Sequence, residues 1–79
     1  MKVKALVEKN DNNYYAITTE HAVAGNYFGG YGYSVQEAKA DYMESIREMI
    51  EIAKEEGKDV PNVEDIEVDF QYDIPSFFN

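Results

Sequence analysis

The sequence predicts an α+β fold, with one long helix packed on a four-stranded mixed sheet in the chain order β-β-β-α-β. Three observations carry that prediction. Residues 35 to 56 place apolar side chains at steps of three and four, the period of a helix with one buried stripe. Four other segments alternate apolar with polar residues, or gather β-branched and aromatic ones, which is strand patterning. The chain has 79 residues, 44% of them hydrophobic, enough for one small core and too few for two domains.

The first strand is read at 2 to 8, "KVKALVE", with Val3, Ala5 and Val7 on one side. "KNDNN" at 9 to 13 concentrates Asn and Asp, which tolerate left-handed turn geometry. "YYAITT" at 14 to 19 is the second strand, forming a hairpin with the first. "EHAVAGN" at 20 to 26 is a loop with Gly25 as its turn residue. "YFGGYGY" at 27 to 33 reads as a third strand weakened by glycines, hence a bulged or edge strand.

Ser34 opens the helix. Ser-Val-Gln-Glu fits a capping box, with the Ser34 hydroxyl on the Glu37 amide and the Glu37 carboxylate returned to the Ser34 amide. The apolar stripe is Val35, Ala38, Tyr42, Ile46, Met49 and Ala53, widened by Met43 and Ile50. Glu37, Asp41, Glu44, Glu48, Glu51 and Glu55 line the opposite face. Gly57 supplies a left-handed C-terminal cap, and Lys54 and Lys58 suit the negative helix end. "KDVPNVED" at 58 to 65 is a connector stopped by Pro61. "IEVDFQY" at 66 to 72 alternates cleanly, with Ile66, Val68, Phe70 and Tyr72 inward. The helix can join the third and fourth strands only as a crossover, so the last strand is expected beside the first and parallel to it. Residues 1 to 72 form the domain, and 73 to 79, "DIPSFFN", form an aromatic tail.

Seven Lys and Arg face sixteen Asp and Glu, a net charge of −9. Nucleic-acid binding needs clustered cations against phosphates. Here Lys2, Lys4, Lys9, Lys39, Arg47, Lys54 and Lys58 are scattered, so direct binding of nucleic acid by this chain is not expected. A cationic protein partner suits the charge better, while the same acidity also serves plain solubility. The absence of cysteine excludes disulfides, thiolate metal sites and a Cys nucleophile. No segment approaches the roughly 18 to 20 continuous apolar residues of a membrane span. The start is interrupted by Glu8 too soon for a signal peptide, and the chain is read as soluble and cytoplasmic.

The run "GGYGYSVQEAKADYMESIREMIE" at 29 to 51 is either a ligand-cradling glycine loop feeding a helix or a hinge between sheet and helix. Phosphate loops need spacings such as G-x-x-x-x-G-K-[ST] or G-x-G-x-x-G, so that successive amides aim at the anion. Gly29, Gly30 and Gly32 fit neither, no Lys follows, and Tyr27, Phe28, Tyr31 and Tyr33 would crowd such a nest. The run is a hinge. Glu8, Glu44, Glu48 and Asp69 could be imagined around two metals. In a chain with sixteen acids four such candidates arise by chance, and their spacing follows the solvent face. His21 is the single histidine, without metal-ligand partners at the usual spacing, and reads as surface. Adjacent residues of an extended segment point to opposite sides, so Phe77 and Phe78 cannot both enter the core. Tyr27, Phe28, Phe77 and Phe78 are therefore the expected partner or oligomer contacts, and no catalytic, cofactor or metal residue is assigned.

After a β-hairpin and a third strand ending at glycine, "YSVQEAKADYMESIREMIEIAKEEGKDVP" resembles the N-terminal domain of HicB-like antitoxins. In that family a G-x-[ST]-x-x-E-A segment starts the single helix, matched by Gly32, Ser34, Glu37 and Ala38. An E-x-G-x-x-[IV]-P ending is matched by Glu55, Gly57, Val60 and Pro61. The similarity spans residues 2 to 72, although the family's P-D-[LF]-P-G-[CV] loop reads "EHAVAGNYF" here and keeps only a glycine. The resemblance implies a partial ribonuclease H-like fold without a working nuclease centre. It also implies homo-oligomers and the neutralisation of a small, basic HicA-type RNA-cleaving toxin by covering its active surface. Family members commonly carry a C-terminal DNA-binding domain, and "DIPSFFN" looks like the lead-in to one, which makes the chain a fragment or a stand-alone relative.

The expected function is a non-enzymatic protein-interaction domain of the antitoxin type, homodimeric and without cofactor. Two alternatives stand beside it. One is the dimerisation module of a truncated transcriptional regulator. The other is a metal-dependent ribonuclease H-like nuclease, which needs three or four carboxylates around a shared metal.

Overall fold

Alternation along the strands decides which side of the sheet the helix covers. In the computed structural model, which describes residues 1–22 and 25–73, the order is β1 (Lys2–Lys9), β2 (Tyr15–Thr19), β3 (Gly29–Gly32), α1 (Val35–Glu55) and β4 (Glu67–Asp73). The fold is α+β, with the four strands in the spatial order β3-β2-β1-β4. β1 pairs antiparallel with β2 and parallel with β4, and β2 pairs antiparallel with β3. The last strand thus lies beside the first and parallel to it, as the crossover requires.

Register aligns the inward residues in rows. Tyr72, Val7, Ile17 and Gly30 form one row, and Phe70, Ala5 and Thr19 the next. Against them α1 buries Ala38, Tyr42, Ile46, Ile50 and Ala53, the stripe the three-and-four spacing dictates. Val60 and Val63, in the connector and its 3-10 turn (Val63–Asp65), pack on the same core, a contribution that the Pro61 stop signal does not reveal.

β1 and β2 turn through the Asn-rich loop. The Asn10 side-chain oxygen accepts from the amides of Asn12 (3.0 Å) and Tyr14 (3.2 Å), and Asn13 takes the left-handed conformation at φ 59°. At the far end of α1, Gly57 sits at φ 77°, its amide bonds the Lys54 carbonyl (3.0 Å) and the Lys58 amide bonds the Ala53 carbonyl (2.9 Å). This pair of bonds is a Schellman closure, which a residue with a Cβ would strain.

Three expectations need correction. β3 is an edge strand but carries no bulge, since its pairing with β2 runs in unbroken register. Its inward glycines serve close packing. A Cβ on Gly30 would stand 2.6 Å from the Ala38 carbonyl oxygen and 2.7 Å from the Tyr42 Cα, and one on Gly32 would stand 2.7 Å from the Ala38 nitrogen. The helix therefore rests directly on the β3 backbone. The capping box also closes one residue early. The Ser34 hydroxyl accepts from the Glu37 amide (3.1 Å), but the Glu37 carboxylate takes the amide of Tyr33 (3.0 Å) rather than that of Ser34. Finally, Tyr72 is in phase with the inner face yet 54% exposed, because β4 is the outermost strand and the helix does not roof its end.

Ser34→Ala removes the side-chain acceptor of the Glu37 amide, and the expected loss is about 1 kcal/mol. Urea denaturation followed by circular dichroism measures it, and Ser34→Asp should restore the loss.

Candidate functional site

The surface carries the charge asymmetry of the sequence in an ordered way. Glu44, Glu48, Glu51 and Glu55 stand exposed on the side of α1 away from the sheet. Arg47 meets Glu44 at 2.8 Å on this face, but both side chains are half exposed and the pair contributes little. Lys39 turns inward instead, with its ammonium 4.7 Å from the Phe70 ring centre and 5.3 Å from that of Tyr72.

Among the described residues no helix covers the other face of the sheet. By register it presents Tyr31, Ala16, Glu8 and Asp73 in one row, and Gly29, Thr18, Leu6 and Gln71 in the next. Tyr14 packs edge-on against Tyr33 at 4.7 Å and tilts against Tyr31 at 6.3 Å. These rings form an aromatic patch beside β3.

The two sheet edges differ in kind. In the β2–β3 ladder the Thr19 amide bonds the Phe28 carbonyl (3.0 Å), so Gly30 and Gly32 face β2 while Tyr31 and Tyr33 turn their amides outward. Helix carboxylates occupy both: the Tyr31 amide donates to Asp41 Oδ2 (3.0 Å) and the Tyr33 amide to Glu37 Oε2 (3.0 Å). Two strand residues span about 6.7 Å and four helix residues about 6 Å, so carboxylates four apart on α1 match amides two apart on β3. The Tyr31 and Tyr33 amides of the β3 edge are thereby taken from any further strand. At β4 the Glu67 amide bonds the Met1 carbonyl (2.7 Å), which turns Glu67, Asp69, Gln71 and Asp73 toward β1. The amides of Val68, Phe70 and Tyr72 then face outward, and take no partner among the described residues.

The expected contact residues divide. Tyr27 is 67% exposed. Phe28 is not a surface residue: it is 5% exposed within the core, because it shares the inner phase of Gly30 and its neighbour Tyr27 takes the outer one. Phe77 and Phe78 lie outside the described residues. Phe28 also lines an apolar crevice with Met49, Ile50, Val60, Pro61 and Ile66, whose room of about 30 Å³ suits a water and not a metabolite.

The imagined metal carboxylates do not converge. Glu8 and Asp69 lie on the uncovered face of the sheet, whereas Glu44 and Glu48 lie on the far side of the helix, so the core separates them. Among the described residues no three His, Asp or Glu side chains stand close enough to hold a metal ion. The His21 side chain is 84% exposed, and Glu20 stands 3.9 Å from it. The buried polar pair is Thr19 with Tyr42, hydroxyl to hydroxyl at 2.5 Å. Burial raises the Tyr42 phenol above its ordinary value, and the bond to Thr19 offsets part of that rise. No helix among the described residues is long and apolar enough to cross a membrane.

Sequence reasoning missed the two edges. The signal for one was present, since Glu37 and Asp41 stand four apart in the first turns after a glycine strand. Comparison with protein-family models, with curated proteins and with solved structures finds no match for this chain.

Proposed function

We propose that the chain is a non-enzymatic protein-interaction domain of the HicB-like antitoxin type, with a partial ribonuclease H-like sheet, that neutralises a small basic HicA-type RNA-cleaving toxin. The observation that carries this reading is the exposed acidic face of α1, in a chain whose net charge is −9. A field of that sign raises the encounter rate with a cationic protein and repels nucleic acid. The motif matches at Gly32, Ser34, Glu37 and Ala38, and at Glu55, Gly57, Val60 and Pro61, supply the family side of the reading. A homodimer belongs to the same proposal. The exposed rings of Tyr27, Tyr31 and Tyr33 and the helix-free face of the sheet support it.

Calorimetric titration against a HicA-type toxin tests the function. The expected result is saturable binding with loss of RNA cleavage, and no heat at low salt would refute it. Light scattering tests the dimer, which a strict monomer at high micromolar concentration rules out.

A further inference from the structure

We propose that the open edge of β4 receives an extended segment of a basic partner as a fifth strand, a segment alternating Lys or Arg with apolar residues. The inference deepens the partner-binding reading and rests on it for the partner protein, though not for the edge itself. On one edge Glu37 and Asp41 occupy the outward amides of Tyr31 and Tyr33, while the other offers the amides of Val68, Phe70 and Tyr72 in a seven-residue strand. A strand laid there gains a ladder of main-chain hydrogen bonds.

The two faces of β4 specify the incoming side chains. On the helix side an added strand meets Phe70 and Tyr72, the latter 54% exposed, which favours apolar residues at alternate positions. On the opposite side it meets Glu67, Asp69, Gln71 and Asp73. Lys2 and Lys4 stand beside Glu67 and Asp69 in the β1 register, but Asp73 stands beside Glu8. Two carboxylates directly across a ladder destabilise one another, and a cation from a new neighbour relieves them. Lys9, next in the chain, turns to the inner face over the Tyr15 ring at 5.8 Å and does not serve.

A second copy of this chain fits the edge poorly. Two β4 strands paired antiparallel about Phe70 would set Glu67 of one copy against Asp73 of the other, twice. The cationic strand is the occupant that the charges select, and an extended toxin segment is its protein form.

The test uses the full chain and a synthetic ten-residue peptide alternating lysine with valine, followed by amide chemical shifts at low salt. Binding is expected to shift Val68, Phe70 and Tyr72 first. A glutamate–valine peptide, or a lysine–valine peptide methylated at its backbone amides, should bind at least about tenfold more weakly. Tyr72→Pro removes an outward donor without touching the β1 ladder, and Asp73→Lys reverses the charge while keeping every amide; each should weaken binding about tenfold. If the peptide shifts the tyrosine patch or α1 instead, or binds both variants as tightly as the parent chain, the proposal fails. If a HicA-type toxin binds and is indifferent to both variants, the edge proposal falls and the antitoxin reading stands. If the peptide binds at β4 while such a toxin does not bind, the edge stands and the antitoxin reading falls.

Discussion

Gly30→Ala is expected to lower the unfolding free energy by about 3 kcal/mol, the upper part of the usual range for overpacking. The reason is the kind of atom the new methyl meets. The Ala38 carbonyl oxygen at 2.6 Å and the Tyr42 Cα at 2.7 Å belong to the helix backbone, which cannot rotate away as a side chain would. Relief requires α1 to lift from β3, and lifting would stretch the bonds from the Tyr31 and Tyr33 amides to Asp41 and Glu37. A domain of this size has about 4 to 12 kcal/mol in hand, so the loss is a large fraction. It corresponds to a fall in Tm of roughly 12 to 24 °C. Gly29→Ala is the control. Its Cβ would meet only the Ile17 carbonyl oxygen at 3.5 Å, an ordinary contact, and the expected change is within about 0.5 kcal/mol. Thermal unfolding of the two variants checks the pair, and equal melting temperatures would contradict the direct seating of helix on strand.

Tyr42→Ala is the second large effect, about 4 kcal/mol. Tyr42 is fully buried, packs edge-on against Phe70 at a ring separation of 5.9 Å and bonds Thr19. Truncation leaves a cavity and also strands the Thr19 hydroxyl, which is itself buried. The two causes separate experimentally. Tyr42→Phe keeps the ring and should cost about 1 to 2 kcal/mol, and adding Thr19→Val should recover most of that. The phenol also sets a pH dependence. Its folded pKa lies above the ordinary 10.0, so below pH 10 both states hold the proton and its contribution is complete. As pH rises further the unfolded chain releases the proton while the fold resists, and stability falls. The advantage of the parent chain over Tyr42→Phe should therefore shrink above pH 10 in urea titrations, and an advantage that grows there would contradict the burial.

The parts of the fold legible in the sequence are those set by periodicity within one element. Val3, Ala5 and Val7 alternate, and Ala38, Tyr42, Ile46 and Ala53 step by helical turns, so each buries the face its spacing dictates. What depends on two elements meeting does not show in the spacing of either one. Gly30 and Gly32 look like weakness along a strand, and only the helix lying on them shows that they are a seat. Glu37 and Asp41 look like solvent-facing acids on a helical wheel, yet they satisfy strand amides, because the wheel does not show a neighbouring edge. Tyr72 keeps the inward phase but lacks a roof, since strand order rather than alternation decides which strand is outermost. The proposed interaction surface is half legible for the same reason. Net charge, on which the proposed cationic partner rests, is read from the sequence, whereas the outward amides of β4 exist only once the sheet is assembled.

The most direct test of the account is the association rate with a purified HicA-type toxin, followed from roughly 20 mM to roughly 500 mM salt. Steering by the acidic face predicts a fast rate at low salt that falls steeply as salt rises, with dissociation changing less. A rate independent of salt, or no association at the lowest salt, would contradict the proposal that the acidic face of this chain meets a basic protein.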